Sequence, residues 1–328
     1  MNFGQDHNAV LRLARQIASR IVNPGGVPSA TRLRAAVAGR TVLVTGASHG
    51  IGRATAIRLG RAGATVLLVA RSADVLEELV EQLRADGGDA YALPADLSDA
   101  DAAVPSLARR ILDEHGPPDV IVNNAGKSIR RTVEQSYERF HDYTRTANLN
   151  YLGPVRLLLT LLPAMRERGS GHIVNVSTVG VLLPPTPRWS AYQASKAAFD
   201  VWLRSLAAEA HDDGITATSL YMALVHTRMS APTDDFKLMP GLSADEAAGL
   251  VCHAIVDRPS AITPWWATTA ALIDTAARGT SDRLVRLYAK RFTARGAARP
   301  PDAPAPAAAA PAPPDPPAPA RADGSAPS

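Results

Sequence analysis

Short, wholly apolar runs recur along the middle of this 328-residue chain, and helical segments separate them. The clearest runs lie at 41–46 and 65–70, and the segments 119–126 and 172–178 repeat the type. The first two are rich in β-branched residues and apolar, as strands are when both faces of a parallel sheet are covered. Helical patterns at 53–63 and 74–87 fall between them. This order predicts right-handed crossovers and a doubly wound α/β sheet, in which ligands bind outside the carboxyl ends of the strands.

We expect one folded domain, 40–292, between two extensions. Residues 1–39 are basic and alanine-rich, and 9–22 has apolar residues at helical spacing. The polar side of that segment carries Arg12, Arg15 and Arg20. Such a helix could rest on an anionic membrane surface, or pack on its own domain or a partner subunit. Residues 293–328 are mostly proline and alanine, which predicts a disordered or polyproline-like tail.

Composition excludes several classes of function. A net charge of +4 without a dense lysine–arginine block argues against nucleic-acid binding. The one cysteine, Cys252, excludes an intramolecular disulfide and fits a reducing cytoplasm. The eight histidines form no metal-binding pattern, so we expect no metal. Since neither an apolar span of about 18 residues nor a signal peptide is found, we expect a cytoplasmic protein.

A glycine-rich turn, TGASHGIG at 45–52, closes the first predicted strand and opens a helix. Gly46, Gly50 and Gly52 permit a tight turn and let the backbone approach a pyrophosphate at the helix N-terminus. Glycines also serve ordinary turns, but the strand before and the helix after favour a dinucleotide site.

A tyrosine and a lysine stand four residues apart in AYQASKAAF, 191–199. In a helix, Tyr192 and Lys196 lie on one face, where the ammonium would lower the pKa of the phenol. Tyr192 would then be a proton donor near neutral pH. The alternative is a solvated helix face.

Three motifs together resemble the short-chain dehydrogenase/reductase family: TGxxxGIG, NNAG at 123–126 and YxxxK, within 41–227. The resemblance implies a Rossmann-type sheet of about seven strands, a nicotinamide cofactor and a catalytic Tyr-Lys-Ser-Asn group. Tyr192 would be the general acid, and Lys196 would lower its pKa and hold the nicotinamide ribose.

The family resemblance also implies two further catalytic positions, and at each of them two residues compete. The family's N-x-x-G spacing selects Asn150, whose role is to hold a water that relays protons to the lysine, over Asn148. The hydroxyl that steadies the substrate carbonyl is usually the second serine of a pair; here Thr178 aligns with it, and Ser177 competes.

The end of the second strand indicates the cofactor. Arg71 stands where an NAD enzyme would have an acidic residue, and a guanidinium suits a 2′-phosphate. His49 occupies a position that NADP-dependent relatives often fill with a basic residue. We therefore expect NADP(H), with Asp96 contacting adenine. The other expected cofactor contacts are Ser48, Ile51, Leu97, Asn123, Ala125, Gly126, Tyr192, Val225 and Thr227.

Residues 220–260 are similar to the substrate side of bacterial long-chain fatty acyl-CoA reductases, although the family's Pro-Gly is missing. That resemblance implies hydride delivery to a thioester carbonyl and release of aldehyde and thiol. Segment 264–277 would then contact lipid, unless Trp265 and Trp266 are core or interface aromatics.

Two other functions stay open: a reductase of a lipid ketone or alcohol (a 3-oxoacyl, ketosphinganine or sterol substrate), and a non-catalytic dinucleotide-binding scaffold. Intact Tyr192, Lys196 and Asn150 argue against the scaffold. We also expect a hydrophobic small-molecule substrate and a homodimer or homotetramer, and the basic N-terminal segment would allow peripheral contact with the inner face of a membrane.

Overall fold

The computed structural model describes residues 26–296 and contains nine strands in that range. They are β1 (Thr41–Thr45), β2 (Thr65–Ala70), β3 (Asp89–Pro94), β4 (Val120–Asn123), β5 (Gly171–Thr178), β6 (Ile215–Met222), β7 (Val225–His226), β8 (Leu242–Ser243) and β9 (Ala261–Ile262). Seven form one parallel sheet in the order β3-β2-β1-β4-β5-β6-β9, while β7 and β8 pair separately. The reversal of strand order between β1 and β4 makes the crevice in which such sheets bind ligands.

Helices connect the strands. They are α1 (Ala30–Val37), α2 (Gly50–Arg61), α3 (Ala73–Ala85), α4 (Ala103–His115), α5 (Phe140–Ala147), α6 (Gly153–Glu167), α7 (Ser190–Glu209), α8 (Asp234–Lys237), α9 (Ala244–Asp257), α10 (Trp265–Ala276) and α11 (Arg278–Gly296). A π-helical turn, Asn148–Leu152, joins α5 to α6.

The core has two layers, one on each face of the sheet. Along β1, Val42 and Val44 face the layer built with α1, α2, α3 and α9, whereas Leu43 faces the layer built with α4, α6 and α7. Side chains alternate along a strand, so a strand covered on both faces is mostly apolar at successive positions. The predicted doubly wound, Rossmann-type sheet is confirmed.

Two element boundaries differ from the sequence prediction. Helix α2 begins at Gly50, inside the glycine-rich turn, rather than at 53. Helix α1 lies within the predicted extension 1–39, yet its Leu33 and Val37 are buried in the first core layer. The folded domain therefore starts before residue 40, because α1 covers part of the sheet face.

The chain divides into two units, Met1–Arg286 and Leu287–Ser328, and the sheet belongs to the first. The predicted helix at 9–22 lies outside the described residues, as does nearly all of the predicted tail, since α11 ends at Gly296. None of the helices between residues 26 and 296 is long and apolar enough to cross a membrane. Nor does any group of three potential ligand side chains in that range fit a metal ion.

A buried histidine predicts an acid-sensitive fold. Nε2 of His172, in β5, lies 3.0 Å from Oγ1 of Thr218. Burial, followed by the charge of Arg258, lowers the pKa of His172 to about 3. Since the unfolded chain binds this proton near its ordinary pKa of about 6.5, the ring's stabilising contribution is complete above that pH and is lost as the pH falls toward 3. The expected slope is about 1.4 kcal/mol of unfolding free energy per pH unit.

Urea unfolding at several pH values between about 7 and 5 measures this slope in the wild type and in His172→Gln. The variant should lose less stability on acidification, whereas His211→Gln, at an exposed position, should behave as the wild type does. Equal slopes in wild type and His172→Gln would contradict the assignment.

Candidate active site

The glycine-rich turn folds tightly between β1 and α2. Gly46 has φ +67°, and a Cβ there would lie 2.9 Å from Cα of Ala125. A Cβ on Gly52 would collide with the carbonyl oxygen of Gly46. No side chain caps the N-terminus of α2 at His49, so its first N–H groups have no side-chain acceptor there. A helix N-terminus with bare backbone donors is a typical phosphate site, and the turn fits a pyrophosphate.

The predicted adenosine end is assembled from β2 and from the segment after β3. Arg71 follows β2 directly and is exposed. Asp96 accepts hydrogen bonds from the amide (2.9 Å) and the hydroxyl (2.7 Å) of Ser98. Burial alone would raise the pKa of Asp96, but the Ser98 bonds and the charge of Arg71 lower it below its usual value. Leu97 is buried beside them. Arg71 therefore lies close enough for its charge to act on Asp96, although the two residues are far apart in sequence.

Residues 123–126, called here the β4 turn, are tied to the end of β1. Oγ1 of Thr45 accepts hydrogen bonds from the amides of Asn124 and Ala125, each at 3.0 Å. The side chain of Asn124 donates to the carbonyls of Thr45 and Gly46. Thr45 and Asn124 were missed as site residues, although both lie inside the quoted motifs. They hold the β4 turn against the glycine-rich turn.

Helix α7 carries the tyrosine and the lysine as predicted. Tyr192 is half-buried and its hydroxyl hydrogen-bonds to Thr178. Lys196 is buried, and its Nζ donates to the carbonyl oxygen of Val176 at 3.0 Å. Burial lowers the pKa of Lys196 to about 8.

The expected lowering of the tyrosine pKa is wrong for this structure. Burial raises the pKa of Tyr192 to about 12, and the bond to Thr178 opposes this only in part. Burial penalises the charged phenolate and so raises the pKa of Tyr192. The i,i+4 spacing predicted only the effect of Lys196, because burial cannot be read from such a pattern. Tyr192 is therefore a phenol, and a potential proton donor, at neutral pH.

The π-helical turn directs Asn150 into the site, while Asn148 begins that turn. Oδ1 of Asn150 accepts from the amide of Lys127 (2.8 Å), and Nδ2 donates to the Lys127 carbonyl and to Ser195 Oγ, each at 2.9 Å. A Cβ built on Gly126 would lie 3.3 Å from Oδ1 of Asn150 and 3.4 Å from Nζ of Lys196. The structure thus brings Asn150 and Lys196 together around Gly126. Such turns are frequent at functional sites.

The two candidate hydroxyls at the end of β5 differ in their surroundings. Oγ1 of Thr178 accepts from the amide of Gly180 at 3.2 Å and bonds to Tyr192. The side chain of Ser177 is buried, and its oxygen has no hydrogen-bond partner in the structure. Neighbouring strand residues face opposite sides of a sheet. Of the two, Thr178 is the one in contact with Tyr192.

The segment after β6 reaches back to the glycine-rich turn. A Cβ built on Gly50 would lie 3.4 Å from the methyl carbon and 3.5 Å from the Cβ of Thr227, which is ordinary van der Waals contact. Val225 starts the segment, in β7. The guanidinium of Arg228 lies 3.4 Å from Nε2 of His49, so a second exposed basic side chain joins the predicted His49. The sequence offered no motif for Arg228, because its proximity depends on how the segment folds back.

An aromatic stack and an ion pair bound the site on the α7 side. The ring of Trp189 stands edge-on to that of Tyr192, with centroids 6.1 Å apart. It stacks on Phe236 of α8, with centroids 5.8 Å apart and planes inclined by 7°. Asp235, also in α8, pairs with Arg130 at 2.6 Å. These contacts place α8 beside the ring that carries the candidate proton donor.

Comparison with known proteins agrees with this geometry. Residues 40–237 match the family described as short chain dehydrogenase. A fatty acyl-CoA reductase of Acinetobacter baylyi is 46% identical over 226 residues, which are 69% of this chain and 76% of that protein. An uncharacterized oxidoreductase of Mycobacterium bovis is 45% identical over 255 residues, covering 77% of this chain and 74% of that protein. The solved structure of a metagenomic short-chain oxidoreductase in complex with NADP has a TM-score of 0.60 and 28% identity, covering 69% of this chain and 96% of that one.

Proposed function

The chain belongs to the short-chain dehydrogenase family, and from that premise we propose that it uses NADPH to reduce the carbonyl of a lipid-like substrate. Our first candidate is a long-chain fatty acyl-CoA or fatty aldehyde. The observation that carries the proposal is the contact of Tyr192 with Thr178 at the end of β5, with Lys196 one helical turn further along α7. The name of the Acinetobacter relative supports the substrate class.

The chain's own residues would hold the cofactor along the carboxyl ends of the strands. The bare N-terminus of α2 would bind the pyrophosphate. Arg71 and His49 would bind the 2′-phosphate, and Asp96 the adenine. The β4 turn would line the floor, with Thr227 over Gly50. When bound, NADPH would supply the hydride.

Tyr192 would supply the proton. Because burial holds its pKa near 12, the phenol is protonated at neutral pH and would donate to the carbonyl oxygen as charge develops there. Thr178 would donate a second hydrogen bond to that oxygen, and the Lys196 ammonium would stabilise the phenolate left behind. With a thioester, hydride and proton together give a hemithioacetal, whose C–S bond then breaks to release aldehyde and thiol.

Consumption of NADPH against a panel of acyl-CoAs, fatty aldehydes and 3-oxoacyl thioesters tests this function. We expect turnover with long-chain acyl-CoA or aldehyde and none in the Tyr192→Phe variant. Turnover confined to 3-oxoacyl thioesters would replace the substrate with a lipid ketone. Tight NADPH binding without turnover of any panel member would favour the scaffold function.

The two hydroxyls of β5 give a direct prediction for this activity. Thr178→Val should lose most of kcat/KM, since it removes the donor beside Tyr192, while Thr178→Ser keeps a hydroxyl and should be nearly neutral. Ser177→Ala removes an oxygen that has no partner and should cost little. The reverse pattern, with Ser177→Ala inactive and Thr178→Val active, would assign the carbonyl contact to Ser177.

We also propose that the protein is cytoplasmic and contacts the inner face of a membrane through α10. Trp265, Leu272 and Ile273 of this helix are 64%, 67% and 60% exposed. Trp265 is therefore not a core aromatic, which was one alternative. Trp and Leu on an exposed face are typical of helices that lie in a membrane interface.

Full-length protein should co-sediment with phosphatidylglycerol vesicles, and Leu272→Glu should weaken this binding. Val133→Glu, at another exposed apolar position, is the matched control; equal binding by all three would contradict the contact.

We further propose that copies of the chain associate as a homodimer or homotetramer. Leu159 of α6 and Val201 of α7 are 54% and 62% exposed, on helices that cover the same sheet face. Light scattering should give a mass above that of one chain, and Val201→Glu should lower it. A monomeric wild type would contradict the proposal.

A further inference from the structure

A row of polar side chains, called here the buried row, crosses the sheet beneath the candidate active site. Its members are Asn123 on β4, Asn175 on β5, Ser219 and Tyr221 on β6, and Asp200 on α7. Each is at most 6% exposed. Polar groups this deep are retained only where hydrogen bonds satisfy them, so the bonds within the row define its geometry.

The bonds run from strand to strand and end at the helix. Nδ2 of Asn123 donates to Oδ1 of Asn175 (3.2 Å), and Nδ2 of Asn175 donates to Oγ of Ser219 (3.4 Å). Asn123 pairs with Asn175, and Asn175 with Ser219, in the register of the sheet. Ser219 donates to Oδ1 of Asp200 at 2.8 Å. The row therefore connects the start of the β4 turn to α7.

Asp200 is an unusual occupant of this position. It is 2% exposed, and two hydroxyl groups, rather than a cation, bind its oxygens. Tyr221 donates to both Oδ1 and Oδ2 at 2.9 Å. Burial, and then the charge of Asp200, raise the pKa of Tyr221, which keeps the phenol as a donor. A buried carboxylate is costly, and an apolar residue would serve packing alone at least as well.

Asp200 follows Lys196 by one helical turn and lies on the same face of α7. Lys196 is bonded to the carbonyl of Val176, the residue next to Asn175. Helix α7 is thus joined to the sheet by two polar contacts one turn apart. Asp200 makes one of them, and the candidate catalytic lysine, Lys196, makes the other. A helix held at two such points cannot shift along its axis or rotate without breaking one of them.

We propose that Asp200 is a positioning residue: its hydrogen bonds to β6, extended by the buried row to the β4 turn, fix where α7 places Lys196 and Tyr192 relative to the cofactor. This inference rests on the roles proposed above for Lys196 and Tyr192. Asp200 touches neither substrate nor cofactor. It acts through α7, which carries Lys196 and Tyr192, the two residues that we propose to touch substrate or cofactor.

Three variants test the proposal through NADPH affinity, measured by fluorescence titration, and through kcat. Asp200→Ala removes both acceptors and should weaken NADPH binding and lower kcat, each by about tenfold or more, since a misplacement of about 1 Å can cost a hundredfold in rate. Asp200→Asn keeps Oδ1, the oxygen that both hydroxyls approach, and should stay within about threefold of wild type. Tyr221→Phe removes one donor from a folded protein, and should shift both quantities in the same direction as Asp200→Ala.

Thr218→Val is the matched control, because it removes a buried hydrogen bond between the same two strands on the opposite sheet face. It should lower Tm and leave NADPH affinity unchanged. If Asp200→Ala and Tyr221→Phe lower Tm in the same way and alter neither NADPH affinity nor kcat, Asp200 is only structural and the proposal fails. Loss in Asp200→Asn as large as in Asp200→Ala would also overturn it, in favour of a charge effect. NADPH affinity is read without substrate, so a wrong substrate class would leave this test intact.

Discussion

Replacing Tyr192 by phenylalanine should lower kcat by at least ~10²-fold, the usual contribution of a general acid. The variant keeps the aromatic ring, and with it the edge contact to Trp189, and loses only the hydroxyl that bonds to Thr178. The proton for the carbonyl oxygen must then come from water. NADPH affinity should barely change, because most of the proposed cofactor contacts lie on other residues and the aromatic ring is kept. Steady-state turnover together with NADPH titration measures both quantities.

Lys196→Met provides the contrast, because it removes the buried ammonium and its bond to Val176. It should weaken NADPH binding and lower kcat together. Retained turnover in Tyr192→Phe would remove the general acid from the account and revive the scaffold function.

Arg71→Asp should invert the preference for NADPH over NADH. A 2′-phosphate brings about two negative charges beside the guanidinium, and a hydrogen bond to a charged group contributes roughly 1.5–3 kcal/mol. At about 1.4 kcal/mol per factor of ten, one such contact favours NADPH by about ten- to a hundredfold. Aspartate would repel the phosphate and accept a hydrogen bond from the free ribose hydroxyl. Titration of both reduced cofactors against wild type and variant measures the change.

Two neighbouring basic side chains limit the size of the inversion. His49 and Arg228 lie 3.4 Å apart at the start of α2 and remain in the variant. Arg110→Asp, a charge reversal at an exposed position on α4, should leave the cofactor preference unchanged. If wild type binds NADH as tightly as NADPH, Arg71 is a surface residue and the cofactor assignment is wrong.

The sheet could be predicted from the sequence because most positions of its central strands are apolar and many are β-branched. The predicted run 65–70, for example, has the same first and last residues as β2. The short pairing of β7 with β8 could not be predicted, since two residues carry no periodicity. Helix α1 was taken as part of an extension, because nothing local shows that Leu33 and Val37 are buried against α9 and the sheet.

At the candidate site, the motifs indicated which residues lie near one another, but they did not indicate how deeply those residues are buried. The spacing put Tyr192 and Lys196 on one helix face, as found. It could not show that burial moves their pKa values to about 12 and about 8. Asn123 was expected beneath the adenine, yet its side chain turns into the sheet and bonds to Asn175. Asp200 carries no motif, and its place depends on how α7 packs on β6.

Isotope transfer most directly tests the proposal that this chain transfers hydride from NADPH to a lipid carbonyl. Wild-type protein would be incubated with a long-chain acyl-CoA and NADPH deuterated at the transferable position of the nicotinamide, with mass spectrometry of the lipid product. The account predicts an aldehyde, or the alcohol from its further reduction, with deuterium on the former carbonyl carbon and loss of both products in Tyr192→Phe. A reduced product without deuterium, or an undiminished yield in Tyr192→Phe, would contradict it.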